Sequence, residues 1–201
     1  IDREVMQNHP QIDAKDGRLS ETGALLAIEG LKPFLFAPGW FAEGLNRLHD
    51  VLHAGGHTTV ADMAWGMFDF EMEWAAYTHA METAKPPYRV MMVPRGLPEA
   101  ELTGAPEDAF AKVDALTDRG TEKLFFDRHV KFFTDGAFFS ELMQLQEPGY
   151  IEGHHGEWLT APEQFEAIVR PYWNAGYRIH VHCTGDLGLE LALDVLDELQ
   201  F

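Results

Sequence analysis

A single cysteine, Cys183, occurs among the 201 residues of the chain, which excludes an internal disulfide framework. It fits a reducing compartment, so a cytoplasmic location is the expectation. Basic residues are also scarce: Lys plus Arg number 15 against 33 Asp plus Glu, for a formal net charge of −18 and a pI near 4.8. A surface of that sign repels phosphate backbones and anionic lipid, so neither nucleic acid nor a membrane is an expected partner. The acid excess is spread along the chain and reads as solvated surface. No apolar run approaches the length of a membrane span, and residues 1–20 are polar, without the apolar core of a signal peptide. No Gly-x-Gly-x-x-Gly follows a strand, which counts against a doubly wound protein gripping an anion at a helix N-terminus.

What is present suffices for one core: 46% of residues are hydrophobic and 12% aromatic. A loop-rich segment, 1–39, carries Pro10, Gly17, Gly23, Gly30, Pro33, Pro38 and Gly39, with a short helix at about 24–29. It precedes the unit 40–201. Trp40, Phe41, Leu45, Leu48, Val51 and Leu52 recur at helical spacing, and Gly55-Gly56 ends that helix. His57-Thr-Thr-Val-Ala-Asp-Met63 reads as a strand. Asp69 can cap a helix through about Met81, with Phe70, Trp74, Tyr77 and Met81 as its buried stripe. Pro86-Pro87 breaks the chain before a strand from Tyr88 to Pro94, and a helix at about 106–116 precedes a strand through Lys131. Residues 138–158 form a long, wet, aromatic loop. Thr160-Ala-Pro-Glu163 spells a capping box for a helix to Ala175, which Gly176 stops. After a further strand, Asp186 caps an amphipathic helix through Gln200. Strict β-α alternation implies parallel strands with right-handed crossovers. Doubly wound sheets and barrels share that signature.

The chemistry concentrates in two strands, His129-Val-Lys-Phe-Phe-Thr-Asp-Gly136 and Arg178-Ile-His-Val-His-Cys-Thr-Gly-Asp186. Side chains two apart on a strand share a face. Val130 and Phe132 therefore point one way, and His129, Lys131 and Phe133 the other. Ile179, Val181 and Cys183 oppose Arg178, His180 and His182. With the aliphatic sides under helices, Lys131 and the two histidines face a common interior near the strand C-termini, where α/β enzymes place their chemistry. A buried lysine is costly unless neutralised or used. From the residues alone, Lys131 either binds a metal, pairs with Asp135, or reaches solvent by its tip. His182 is either a ligand or a core histidine bonded to backbone. His180 reads as structural, and Asp62, Asp135 and Asp186 as turn or cap residues. His154-His155 lies in the loop. Adjacent histidines point apart on extended backbone, so substrate contact is their expected role. Trp65, Phe68, Phe138 and Phe139 directly follow strands and could wall an apolar substrate pocket. Cys183 reads as a thiol packed under helices.

His57-Thr-Thr-Val-Ala-Asp, Val130-Lys-Phe-Phe-Thr-Asp-Gly and Val181-His-Cys-Thr-Gly-Asp, in that order, resemble three successive blocks of the amidohydrolase superfamily. The branch they look most like holds N-substituted formamide deformylase-like and D-aminoacylase-like enzymes. The resemblance covers residues 50–201, and 17–26 less closely. It implies an α/β fold, a partial (β/α)8 TIM-type barrel comprising about strands two to five. It also implies that Lys131 and His182 hold one or two divalent ions, zinc by expectation, with Lys131 carboxylated as a bridge. A lysine deprived of water loses proton affinity, so its neutral amine can capture carbon dioxide. The implied reaction is hydrolysis of a C–N bond in a small amide-like substrate by metal-activated hydroxide. Members of that family also carry His-x-His on strand one, a histidine on strand six and an aspartate base on strand eight. None of these can be assigned here, so no catalytic residue is assigned. The chain thus reads as an internal fragment, inactive alone, whose open sheet edges invite a homo-oligomer. The competing class is a non-catalytic regulatory or scaffold module that kept the fold and lost the metals.

Overall fold

β-Branched and aromatic runs form the strands of the computed structural model, which describes residues 11–37, 39–66, 70–96 and 105–200. Striped apolar runs between them form helices. An antiparallel hairpin, β1 (Ile12–Asp13) and β2 (Arg18–Leu19), comes first, turned by Asp13 Oδ1 accepting from the Lys15 and Asp16 amides at 2.9 and 3.1 Å. Then follow α1 (Glu21–Glu29), α2 (Lys32–Leu35), α3 (Trp40–Ala54), β3 (Thr59–Trp65), α4 (Phe70–Ala84), β4 (Arg89–Pro94) and α5 (Pro106–Asp114). After a 3-10 turn at Ala115–Asp118 come β5 (Leu124–Phe126), β6 (His129–Phe133), α6 (Pro162–Asn174), β7 (Arg178–His182) and α7 (Asp186–Leu199). Residues 11–35 thus hold more regular structure than the loop with one short helix that their Gly and Pro content suggests. Asp69 and Phe68, read as a helix cap and a pocket wall, lie outside the described residues.

Strands β3 to β7 run parallel. β3 pairs with β4 along its length, and β4 pairs with β5 through Val90, Met91 and Met92. Farther along, Arg95 forms a bridge to Lys131, and the Gly96 amide donates to the Lys131 carbonyl at 2.9 Å. β4 therefore has β5 beside its first half and β6 beside its end. β6 pairs with β7 in the register Lys131↔His180 and Phe133↔His182. This sheet of parallel strands alternating with helices is compatible with a section of a barrel.

Two apolar clusters fill the space between strands and helices. Val130 and Phe132 of β6 pack with Val113, Phe165, Ile168, Val169, Tyr172, Val195 and Leu199 from α5, α6 and α7. Ile179 and Val181 lie against the same cluster, so the aliphatic faces of β6 and β7 are the helix-covered ones, as the alternation implies. The second cluster joins Val90, Met92 and Leu124 to Trp65, Met81, Tyr88 and Leu116, flanked by Phe70, Trp74 and Tyr77 of α4. The stripe expected on that helix is thus the one it buries.

The helix of Trp40 forms over the expected span, with Phe41, Leu45 and Leu52 half-buried and Trp40, Leu48 and Val51 exposed. Among the described residues it packs on α4, through Phe41 against Tyr77 at 5.3 Å, and on Phe36 and Tyr88. Two local expectations change. The capping box at Thr160 does not form. α6 begins at Pro162 without a side-chain cap, and the Thr160 hydroxyl donates instead to the Phe133 carbonyl at 2.7 Å. β3 continues beyond Met63 to Trp65, which leaves Asp62 inside the strand, where it accepts a hydrogen bond from Tyr77 Oη of α4.

A candidate metal centre at the strand ends

Strand β3 carries an irregularity that decides the place of Trp65. Ala64 has φ +68°, and the pairing with β4 shifts register between Met63 and Trp65. Such a bulge moves the following side chain to the other face. Trp65, 2% exposed, accordingly packs within the second cluster, with ring centroids 5.3 Å from Phe70, 5.2 Å from Phe126 and 6.4 Å from Trp74. Its Nε1 is buried with no hydrogen-bond partner.

Lys131, His180 and His182 lie on the face of β6 and β7 opposite the aliphatic residues, all half-buried. The Lys131 ammonium stands 5.3 Å from the centre of the Phe133 ring, and the Arg95 guanidinium lies 5.4 Å from that centre. Phe133 in turn tilts against His182 at 5.5 Å. Burial lowers the proton affinity of Lys131, partly offset by the Cys183 thiol. Burial also lowers that of His182, and the Lys131 charge lowers it further, while the carboxylates of Asp135 and Glu21 act in the opposite sense. The histidine therefore senses the lysine's charge across adjacent strands. Cys183 is half-buried and within electrostatic reach of Lys131, not sealed under helices. β7 ends at His182, so the strict alternation that would have turned the thiol away stops one residue too early.

The donor chemistry of this face fits a divalent ion. An amine and an imidazole, each with lowered proton affinity, yield a proton to a competing metal ion more readily than the free side chains do. His180 has a different partner: its Nε2 is 2.7 Å from His129 Nδ1 in a stacked pair, and His129 Nε2 lies 3.7 Å from Asp127.

Asp135, read as a turn residue with Lys131 as a possible partner, is instead a buried junction. Its carboxylate accepts from the backbone amides of Thr184 at 2.9 Å, Gly185 at 2.7 Å and Gln144 at 2.9 Å. Thr134 reinforces the same joint, its amide and hydroxyl both donating to the His182 carbonyl at 2.9 and 3.0 Å. Asp186, expected to cap its helix, is instead the first helical residue after an N-cap at Gly185, and its Oδ1 accepts from the amides of Leu187 and Gln146.

The two loop histidines diverge. His155 Nδ1 lies 3.1 Å from the Leu145 carbonyl, and its Nε2 lies 3.6 Å from Glu147. His154 stacks on Tyr150 at 4.4 Å and joins Glu141 and Glu152, the three offering ligand atoms within 4.8 Å of one another. These residues line a cavity of about 660 Å³ together with Phe139, Leu142, Glu157 and the hairpin residues Arg18 and Leu19. Phe138 and Phe139 are largely exposed. Sequence reasoning missed Glu21, whose Oε1 accepts from the Ala137 amide at 3.0 Å and which reaches His182 electrostatically. It lies in a segment without periodicity, so only its closeness in space reveals it.

Comparison with known proteins adds to this geometry. No family model matches the chain, and no curated protein does. Two solved structures share its fold. One is an uncharacterized metal-dependent hydrolase from Pyrococcus horikoshii OT3, with a TM-score of 0.65 and 19% identity over 98% of this chain and 39% of that one. The other is an uncharacterized metal-dependent hydrolase from Pyrococcus furiosus, with a TM-score of 0.61 and 17% identity over 98% of this chain and 40% of that one. The chain thus spans about two fifths of the length of these proteins, and its fold is that of a stretch of metal-dependent hydrolases.

Proposed function

We propose that this chain forms part of a metal-dependent hydrolase acting on the C–N bond of an amide-like substrate, within a partial (β/α)8 barrel. The carrying observation is the placement of Lys131 and His182 on one face of adjacent parallel strands, each with lowered proton affinity. The parallel strands and the two hydrolases of like fold support the same reading. Lys131 and His182 would hold a divalent ion, zinc being the expected one, and carboxylation of Lys131 would give the lysine two oxygen donors. When bound, such an ion acidifies water and polarises a carbonyl. The chain's own residues do the rest. Phe133 keeps water from the stems of both ligands, Asp135 and Glu21 hold negative charge near His182, and His154 and His155 at the loop contact substrate. Trp65 would act from beneath, as packing that shapes the pocket wall.

Titration of the metal-free chain with Co²⁺ tests the centre. Binding should weaken about tenfold or more in Lys131→Met and again in His182→Ala, by analogy with ligand-shell losses. Affinity unchanged in both variants would refute the assignment and favour a scaffold that has lost its metals. His180-Val-His182 is the one His-x-His in the sequence, and no aspartate is assigned as the base. The purified chain is therefore expected to lack metal-dependent amidase turnover, and a clear rate on simple N-acyl substrates would contradict that.

A further inference from the structure

We infer that Asp135 is the positioning residue that sets Lys131 against His182, a role resting on the metal reading above. Asp135 follows β6 and is fully buried. Its Oδ1 accepts from the Thr184 amide at 2.9 Å, and the Thr134 hydroxyl, whose proton goes to the His182 carbonyl, lies 3.1 Å away. Its Oδ2 accepts from the Gly185 amide at 2.7 Å and the Gln144 amide at 2.9 Å, while the Thr184 hydroxyl donates to the Gly136 carbonyl at 2.5 Å. One carboxylate thus ties together the end of the Lys131 strand, the loop at Gln144 and the turn directly after His182.

The Thr184 and Gly185 amides stand just ahead of α7, at its N-cap, Gly185, and the residue before it, where a carboxylate from outside the helix accepts both. A negative charge there also meets the positive end of the helix dipole. Because the donors flank the end of β7, this strand cannot slide along β6 without breaking several bonds together. The double contact of Thr134 to the His182 carbonyl fixes the same joint from the backbone side. Two glycines permit the close approach. A Cβ on Gly188 would lie 2.6 Å from Asp135 Oδ1, and one on Gly185 would lie 2.0 Å from the Gln144 carbonyl oxygen.

An asparagine at 135 would turn an NH₂ toward backbone amides, leaving buried donors without acceptors. Asp135→Asn and Gly188→Ala therefore disturb the joint from opposite sides. Alanine is the better helix former, so a loss at 188 reports contact with the carboxylate rather than helix propensity. Should Asp135→Asn fail to fold, Gly188→Ala carries the test alone.

Two readouts on the full chain separate positioning from general stability. The first is Co²⁺ affinity, expected to fall about 10- to 100-fold with far-ultraviolet circular dichroism unchanged, as for residues that orient ligands without touching the metal. The second is the rate at which Cys183, the sole thiol, reacts with a disulfide reagent; it lies between His182 and Thr184, so a loosened turn should speed labelling about tenfold or more by raising the open population. Where Lys131→Met and His182→Ala do weaken Co²⁺ binding, affinity within twofold of the parent in both Asp135→Asn and Gly188→Ala would overturn the inference, whatever the thiol does. If Lys131→Met and His182→Ala leave Co²⁺ binding intact, the metal reading itself fails. In that event an unchanged labelling rate sinks the joint as well, whereas faster labelling keeps it.

Discussion

Buried ionisable groups without a countercharge set the pH behaviour of individual residues. Asp62 accepts from Tyr77 Oη beneath α3 and α4, beside a cavity of about 240 Å³ lined mainly by Leu45, Leu48, Leu52, Val60 and Val90. Burial pushes its carboxyl above the ordinary value of 3.8, and the Tyr77 hydrogen bond opposes part of that rise. Burial, then the Asp62 charge, drives the Tyr77 phenol up as well. A carboxyl that holds its proton more tightly in the fold weakens the fold as pH rises from about 3.8 through the raised value. Asp62→Asn keeps an acceptor for Tyr77 and carries no charge. Thermal melts should therefore find Asp62→Asn at least as stable as the parent at pH 7, with a margin that shrinks toward pH 4. A margin independent of pH would count against burial as the cause.

At the scale of elements, burial and hydrophobicity part company. α3 leaves Trp40 75% exposed, whereas the bulge in β3 seals Trp65 at 2%. Trp65→Ala should cost about 3–5 kcal/mol in urea unfolding, and Trp40→Ala about 0.5 kcal/mol or less; similar losses at both sites would contradict the packing. Most strands and helices of 40–201 were legible because their periodicities of two and 3.6 report the layer each face meets. The joint facing of Lys131 and His182 was legible for the same reason. β5, three residues long and followed by β6 with no helix between, was not legible, since so short a run has no period and breaks the expected strict alternation. The Trp65 bulge was not, because one inserted residue resets parity without a local signal. Nor was the reach of Asp135 to Gln144, Thr184 and Gly185, since those partners come from separate elements. The expected cap at Thr160 failed because a neighbouring carbonyl, that of Phe133, competes for the hydroxyl.

For the whole molecule, open edges and charge oppose each other. Among the described residues the outer edges of β3 and β7 pair with no strand, a geometry that invites another chain. A net charge of −18 resists self-association until salt screens it. Sedimentation at high protein concentration is expected to show a dimer that strengthens with ionic strength, and a monomer throughout would exclude edge pairing. No described helix is long and apolar enough to cross a membrane. The left-handed residue at Ala64 bears on the hollow itself. It works as a phase insertion: with it, the indole that follows falls out of step with Met63. Straightening the strand at that alanine, with no residue removed, would bring the two back into step, swinging the bulkiest side chain of the strand from between the layers into the bowl where Lys131 stands. The space beside Lys131 is thus governed by the left-handed turn that absorbs the extra residue of β3.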